Sequence, residues 1–112
     1  MSLELDEHFI FVKENKRASI KKMRELFINK SHIFKHTISL GLININGECV
    51  DVDIPINMLK VLSEDKNAYI RLNVAINPNC PLKLLIRLSN DLNNKVSAAA
   101  NYFRRDRLNL LK

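Results

Sequence analysis

The sequence predicts an all-α fold, a short solenoid of stacked helix pairs, from three observations. A motif recurs at a spacing of 26 residues in the C-terminal half. Each copy carries apolar residues at helical spacing, and proline, aspartate and asparagine stand where helices must start and turn. Aligning residues 54–70 with 80–96 matches Pro55 to Pro81, Leu59 to Leu85, Leu62 to Leu88, Ser63 to Ser89, Asp65 to Asp91 and Asn67 to Asn93. About one such identity is expected at ordinary residue frequencies. Conservative pairs follow the same register: Ile56 with Leu82, Met58 with Leu84, Ile70 with Val96.

Each copy can be built from its letters. Pro55 and Pro81 open a first helix, because the first turn tolerates a missing N–H. Ile56, Leu59 and Leu62, like Leu82, Leu85 and Leu88, then give that helix one apolar face. Asp65 to Asn67 and Asp91 to Asn93 make the turn, with Asn67 and Asn93 as N-caps of a second helix. Ile70 and Val74, or Val96 and Ala100, point inward from it, and Asn77-Pro78-Asn79 ends the earlier copy.

The same step of 26 carries Leu82, Leu84 and Leu85 onto Leu108, Leu110 and Leu111, so residues 105–112 read as a half-repeat. In the other direction, an offset of 32 maps Met58, Leu59, Ser63, Ile70 and Val74 onto Leu26, Phe27, Ser31, Ile38 and Leu42. The organisation is therefore a single domain: an N-terminal capping helix region at 1–22, a degenerate repeat with an insertion at 23–52, repeats at 53–78 and 79–104, and the half-repeat. Within 43–52, apolar residues alternate around Asn46-Gly47. A small β-hairpin and an irregular loop both satisfy that pattern, and the hairpin is the preferred expectation. Asn46, Gly47, Glu48 and Asp51 would form its surface.

Residues 65–85, with Asp65 and Asn67, Ile70-Arg71, Val74-Ala75, Asn77-Pro78-Asn79, Pro81 and Leu84-Leu85, resemble the leucine-rich repeat variant family of bacterial proteins. These are short relatives of the HEAT and armadillo solenoids, and the resemblance spans about residues 53–103. It implies paired short helices stacked into a right-handed rod. By analogy with HEAT-like repeats, it also implies an Asp–Arg bond across the turn, here Asp65 to Arg71. Asp91 would face only Ser97. The family brings no activity with it, since such repeats are scaffolds whose function lies in their exposed residues.

Composition narrows the function. The 112 residues are 46% hydrophobic and 27% charged, enough to bury roughly 65% of the unfolded surface without a metal or disulfide framework. The start, MSLELDEHF, is acidic where a secretory signal would be basic, and no apolar run is long enough to span a membrane, so the expected location is cytoplasmic. Cys49 and Cys80 form no CxxC pair; free, partly buried thiols are preferred over a disulfide between them.

The net charge of +6 is unevenly spread: residues 13–35 hold eight basic against two acidic side chains, and residues 66–112 hold nine against two. Lys13, Lys16, Arg17, Lys21, Lys22 and Arg24, with Ile20, Met23 and Phe27 at helical spacing, read as one basic amphipathic helix. Arg104, Arg105 and Arg107, joined by Lys83 and Arg87, make a second cluster that a solenoid could align with the first. Such clusters suit nucleic-acid phosphates, acidic lipid or an acidic protein, and equally a merely solvated face. Aromatic side chains for base stacking are scarce: there is no Trp, and Tyr69 and Tyr102 fall in or beside core positions.

His32 and His36 have zinc-ligand spacing but no third ligand in the sequence pattern. With two glycines in the chain, no phosphate-cradling loop of the GxGxxG or Walker type is present, nor is there a GxSxG elbow. The expectation is a non-enzymatic protein-interaction module of adaptor, inhibitor or immunity type, with no cofactor and no metal. A duplex nucleic-acid backbone is the alternative partner, and pairing of two copies through the C-terminal half-repeat is a further expectation.

Overall fold

The computed structural model describes residues 7–45 and 48–110, and among them the fold is all-α with one small hairpin. The helices are α1 (Glu7–Asn15), α2 (Ile20–Ile28), α3 (His32–Leu40), α4 (Ile56–Leu62), α5 (Ala68–Ile76), α6 (Leu82–Leu88) and α7 (Asn94–Leu110). Strands β1 (Leu42–Ile45) and β2 (Glu48–Asp51) pair antiparallel, with Leu42 opposite Asp51 and Ile45 opposite Glu48. The 43–52 insertion is thus a hairpin, while Asn46 and Gly47 lie outside the described residues.

N-caps reveal the register. Ser19, Pro55 and Pro81 precede α2, α4 and α6; Ser31, Asn67 and Asn93 precede α3, α5 and α7. Both series step first by 36 residues and then by 26, and the longer step exceeds the shorter by the length of the Leu42–Asp51 hairpin. The first helix pair therefore spans 20–40 at an offset of 36, instead of 23–42 at an offset of 32. The boundary expected between 22 and 23 falls inside α2. Serine caps carry no apolar signature, so an alignment made on hydrophobic residues slipped by one helical turn.

Two layers result. Helix α4 packs beside α2, and Arg87 of α6 donates to the Ser63 hydroxyl at the end of α4, so α2, α4 and α6 follow one another in the first layer. In the second layer α1 lies against α3, α3 against α5, and α5 against α7. Met23, Leu59 and Leu85, the fourth residues of α2, α4 and α6, are fully buried between the layers, as are Ile38, Ile70, Val74, Val96 and Ala100 of the second. Ile56 is instead half exposed. Every third residue lags the helical repeat by about 60°, so the series 56, 59, 62 sweeps out of the core at its first member. Met58 and Val61 take its place inside.

At the entrance, Phe11 of α1 packs against Phe27 and Phe34 with ring centroids 5.3 and 5.1 Å apart. Gly41 ends α3 in the left-handed region (φ 70°), and its carbonyl accepts from Val52 N–H at 2.8 Å, closing the hairpin onto the helix. A β-carbon there would meet the Asn77 amide nitrogen at 3.2 Å. The Asn77-Pro78-Asn79 loop anchors the same edge. Asn79 N–H donates to the Asn77 side chain, the Asn79 amide reaches Ile54 O, and Arg107 donates to Pro78 O at 2.7 Å.

The expected half-repeat at 105–112 does not begin with a new helix. Helix α7 runs unbroken from Asn94 to Leu110, because no proline or Asp-x-Asn turn interrupts it after Phe103. Leu108 sits on that helix, partly exposed; the side chain of Leu110, with Leu111 and Lys112, lies outside the described residues. No described helix is long and apolar enough to cross a membrane.

Candidate functional site

The turns before α5 and α7 are built alike. Asp65 accepts from Asn67 N–H and Asp91 from Asn93 N–H, both at 2.9 Å. Asn67 then caps α5 through Tyr69 and Ile70 N–H, and Asn93 caps α7 through Lys95 and Val96 N–H. The Asp-x-Asn spacing thus satisfies donors that each helix start would otherwise leave orphaned.

Those aspartates also tie one pair to the next. Arg71 clasps Asp91 with two bonds, Nε to Oδ2 at 2.9 Å and Nη2 to Oδ1 at 3.1 Å, while its Nη1 donates to the backbone carbonyls of Asp65 and Lys66. Lys35, the fourth residue of α3 as Arg71 is of α5, holds Asp65 at 2.7 Å. The expected bond between the Asp65 side chain and Arg71 is therefore corrected. Each cation reaches forward to the aspartate of the following turn; the carboxylate in Arg71's own turn, Asp65, is already held by Lys35 and Asn67 N–H. Ser97, at the matching place in α7, donates to Asn94 O.

The carboxylates respond accordingly. The Arg71 hydrogen bond holds Asp91 below its ordinary value. Burial alone would raise Asp65, but the bonds from Lys35 and Asn67 N–H outweigh it and leave it lowered. Glu64 is lowered chiefly by Arg24, which it accepts from at 3.0 and 3.2 Å.

The basic segment 13–30 is two helices instead of one. Ser19 accepts from Lys22 N–H and starts α2 afresh. Lys13 consequently ends α1, Lys16 and Arg17 lie in the turn, and Lys21, Lys22 and Arg24 are on α2. All six are exposed, but Arg24 is engaged by Glu64. At the other end Arg105 is exposed, Arg104 is half-buried, and Arg107 is occupied with the Asn77-Pro78 carbonyls. One cluster sits on α1, α2 and the turn between them, the other on α7, which packs on α5 and α6. Lys83 and Arg87 belong to the α6 surface, where a groove of about 430 Å³ runs between α4 and α6 past Ile56, Lys60 and Leu82. On the hairpin, Glu48 and Asp51 are exposed.

His32 and His36 stand one turn apart with ring centroids at 6.2 Å, and among the described residues no group of three potential metal ligands forms. Cys80 is a free, buried thiol, pushed up to about 11 by burial. Tyr69 and Tyr102, expected in or beside the core, are both well exposed.

Beside the Asp-x-Asn ladder lies a feature that periodicity did not single out. Ile33 is 75% exposed, Tyr69 59% and Leu92 fully exposed. Ile33 and Tyr69 are the second residues of α3 and α5, and Leu92 directly precedes the cap of α7. Tyr69, Leu72, Leu92 and Lys95 together line an open groove of about 410 Å³. A large apolar residue at or beside a helix start reads as core in one dimension; only the packing shows that these stand exposed. No family model, curated protein or solved structure matches the chain.

Proposed function

We propose that this chain is a non-enzymatic module that binds another protein, built as a short solenoid of the leucine-rich repeat variant type. The observation that carries this reading is the exposure of large apolar side chains at or just before the starts of consecutive second-layer helices, Ile33, Tyr69 and Leu92, the last two lining one groove. Large aliphatic and aromatic groups standing in water on a rigid frame are characteristic of a recognition surface. The ladder beside them supplies the rigidity, since the turns before α5 and α7 are each capped and bonded to the preceding second-layer helix. An adaptor or inhibitor role, in the cytoplasm, follows naturally from such a module.

Affinity capture from the source cells tests it. The wild-type chain should retain a protein that a folded Ile33→Asp/Tyr69→Asp double variant loses. Equal recovery by both, or recovery of no protein, defeats the reading.

A second reading has its own support. Lys13, Lys16, Arg17, Lys21 and Lys22 are all exposed and, among the described residues, unpaired with carboxylates, which suits sequence-nonspecific contact with a duplex backbone. Duplex binding that weakens steeply with salt and is abolished by Lys21→Glu/Lys22→Glu would favour it. No binding at low salt would remove it.

A further inference from the structure

Building on the protein-binding reading, we propose that the ladder edge takes an extended, polyproline II-like acidic segment of its partner, read at one acidic and one apolar side chain per three residues. Two positions recur in each helix pair: the residue just before the N-cap and the second residue of the helix. In the first pair they are Lys30 and Ile33, in the second Lys66 and Tyr69, in the third Leu92 and Lys95. Each pair therefore presents one lysine and one large apolar group at the same two places, with the order exchanged in the third. All six are exposed.

The charge at this edge is uncompensated. The neighbouring acids Glu64, Asp65 and Asp91 are taken by Arg24, Lys35 and Arg71. Lys66 and Lys95 have no carboxylate partner among the described residues. Lys30 lies over the Phe11 and Phe34 rings at 5.3 and 4.6 Å, which orients its ammonium without neutralising it. An acidic occupant is the complement of this edge, and an apolar one of the side chains between the lysines.

Spacing selects the occupant's conformation. Packed neighbouring helices lie about 8–10 Å apart, and α3, α5 and α7 are such neighbours. A polyproline II segment returns the same face every third residue, after about 9.3 Å. A β-strand returns it after about 6.6 Å or about 13 Å, and so falls out of step with the lysines. A segment of roughly nine residues spans all three pairs.

The test uses the full chain and fluorescent nine-residue peptides, in both chain directions, with Asp-Leu-Pro in two triplets and Leu-Asp-Pro in the third. Anisotropy should report saturable binding that weakens as salt rises from about 50 to about 300 mM. Tyr69→Ser and Lys66→Glu should each weaken it about tenfold. Changing the middle peptide Asp to Lys should restore affinity to Lys66→Glu alone. A peptide of the same composition with its acid–apolar pairs four residues apart should bind about tenfold more weakly than the triplet peptide. Equal binding of that peptide, or indifference to Lys66→Glu, overturns the proposal.

A photo-crosslinker at position 69 separates the two levels. Failure of every peptide with crosslinking to a cellular protein removes this occupant and leaves the protein-binding module. Failure of both, with capture also negative, removes both. Crosslinking to nucleic acid, or a concentration-dependent dimer abolished by Tyr69→Ser, overturns the acidic-segment proposal in favour of those occupants.

Discussion

The junction between the first and second helix pairs and the junction between the second and third solve one packing problem with different chemistry. At the first, Lys35 makes a single contact with Asp65, Asn73 donates to the Ser39 hydroxyl inside the core at 3.1 Å, and a hairpin is inserted at the far edge. At the second, Arg71 clasps Asp91 twice, the loop is short, and Arg107 pins it from α7. Both keep a fully buried residue at the fourth place of the first helix and an Asp-x-Asn cap before the second. Apolar register and turn capping therefore define the pair, and the insertion is tolerated because it enters where the second helix ends, away from the ladder. Loop length costs little once both ends are held.

The strongest way to break this equivalence is at its centre. Leu59→Ala and Leu85→Ala occupy matching buried places, and each should cost about 3–4 kcal/mol in urea unfolding. Values differing by more than about 2 kcal/mol would show that the two junctions are not equivalent.

The ladder should separate them instead. Arg71→Ala removes a two-bond clasp from a largely buried carboxylate and should cost about 2 kcal/mol; Lys35→Ala should cost about 1 kcal/mol. These contributions depend on pH in a defined sense. The folded values of Asp65 and Asp91 lie below their ordinary ones, so the stabilisation is complete above the ordinary carboxylate range and is lost as pH falls through the lowered values. Asp65→Asn/Asp91→Asn should flatten the acid limb of a stability–pH curve. An unchanged limb would mean the ladder is not what acid removes.

At the hairpin, Gly41→Ala should destabilise by about 1–2 kcal/mol, from the left-handed backbone and the crowding against Asn77. Unfolding measured on the Gly41→Asn variant should give a smaller loss, because Asn tolerates that conformation better. The smallest effect belongs to Arg24→Gln. The Arg24–Glu64 pair is formed between exposed side chains, and exposed pairs contribute little, so the denaturant midpoint should not move measurably.

Much of this architecture was legible in the letters. Pro55, Pro81, Asp65-x-Asn67 and Asp91-x-Asn93 act locally, on φ and on N–H groups within three residues, so their roles survive without knowledge of neighbours. The Ser19 and Ser31 caps were missed because serine is common outside caps. Their omission joined α1 to α2 as one basic helix and slipped the first pair by four residues. The candidate site was less legible. Arg71 lies six residues from Asp65 and 20 from Asp91, and the resemblance pointed to the nearer carboxylate.

By itself, then, the sequence determined the all-α class, the 26-residue spacing, the place of the insertion and the capped turns, because each depends on short-range sterics and hydrogen bonding. Only the tertiary structure decided which apolar and charged side chains a neighbour covers or engages. That choice left Ile33, Tyr69 and Leu92 in water, drew Arg24 and Arg107 into bonds within the fold and continued α7 through the expected half-repeat. Burial is a relation between elements, and periodicity along one chain cannot express which neighbour arrives.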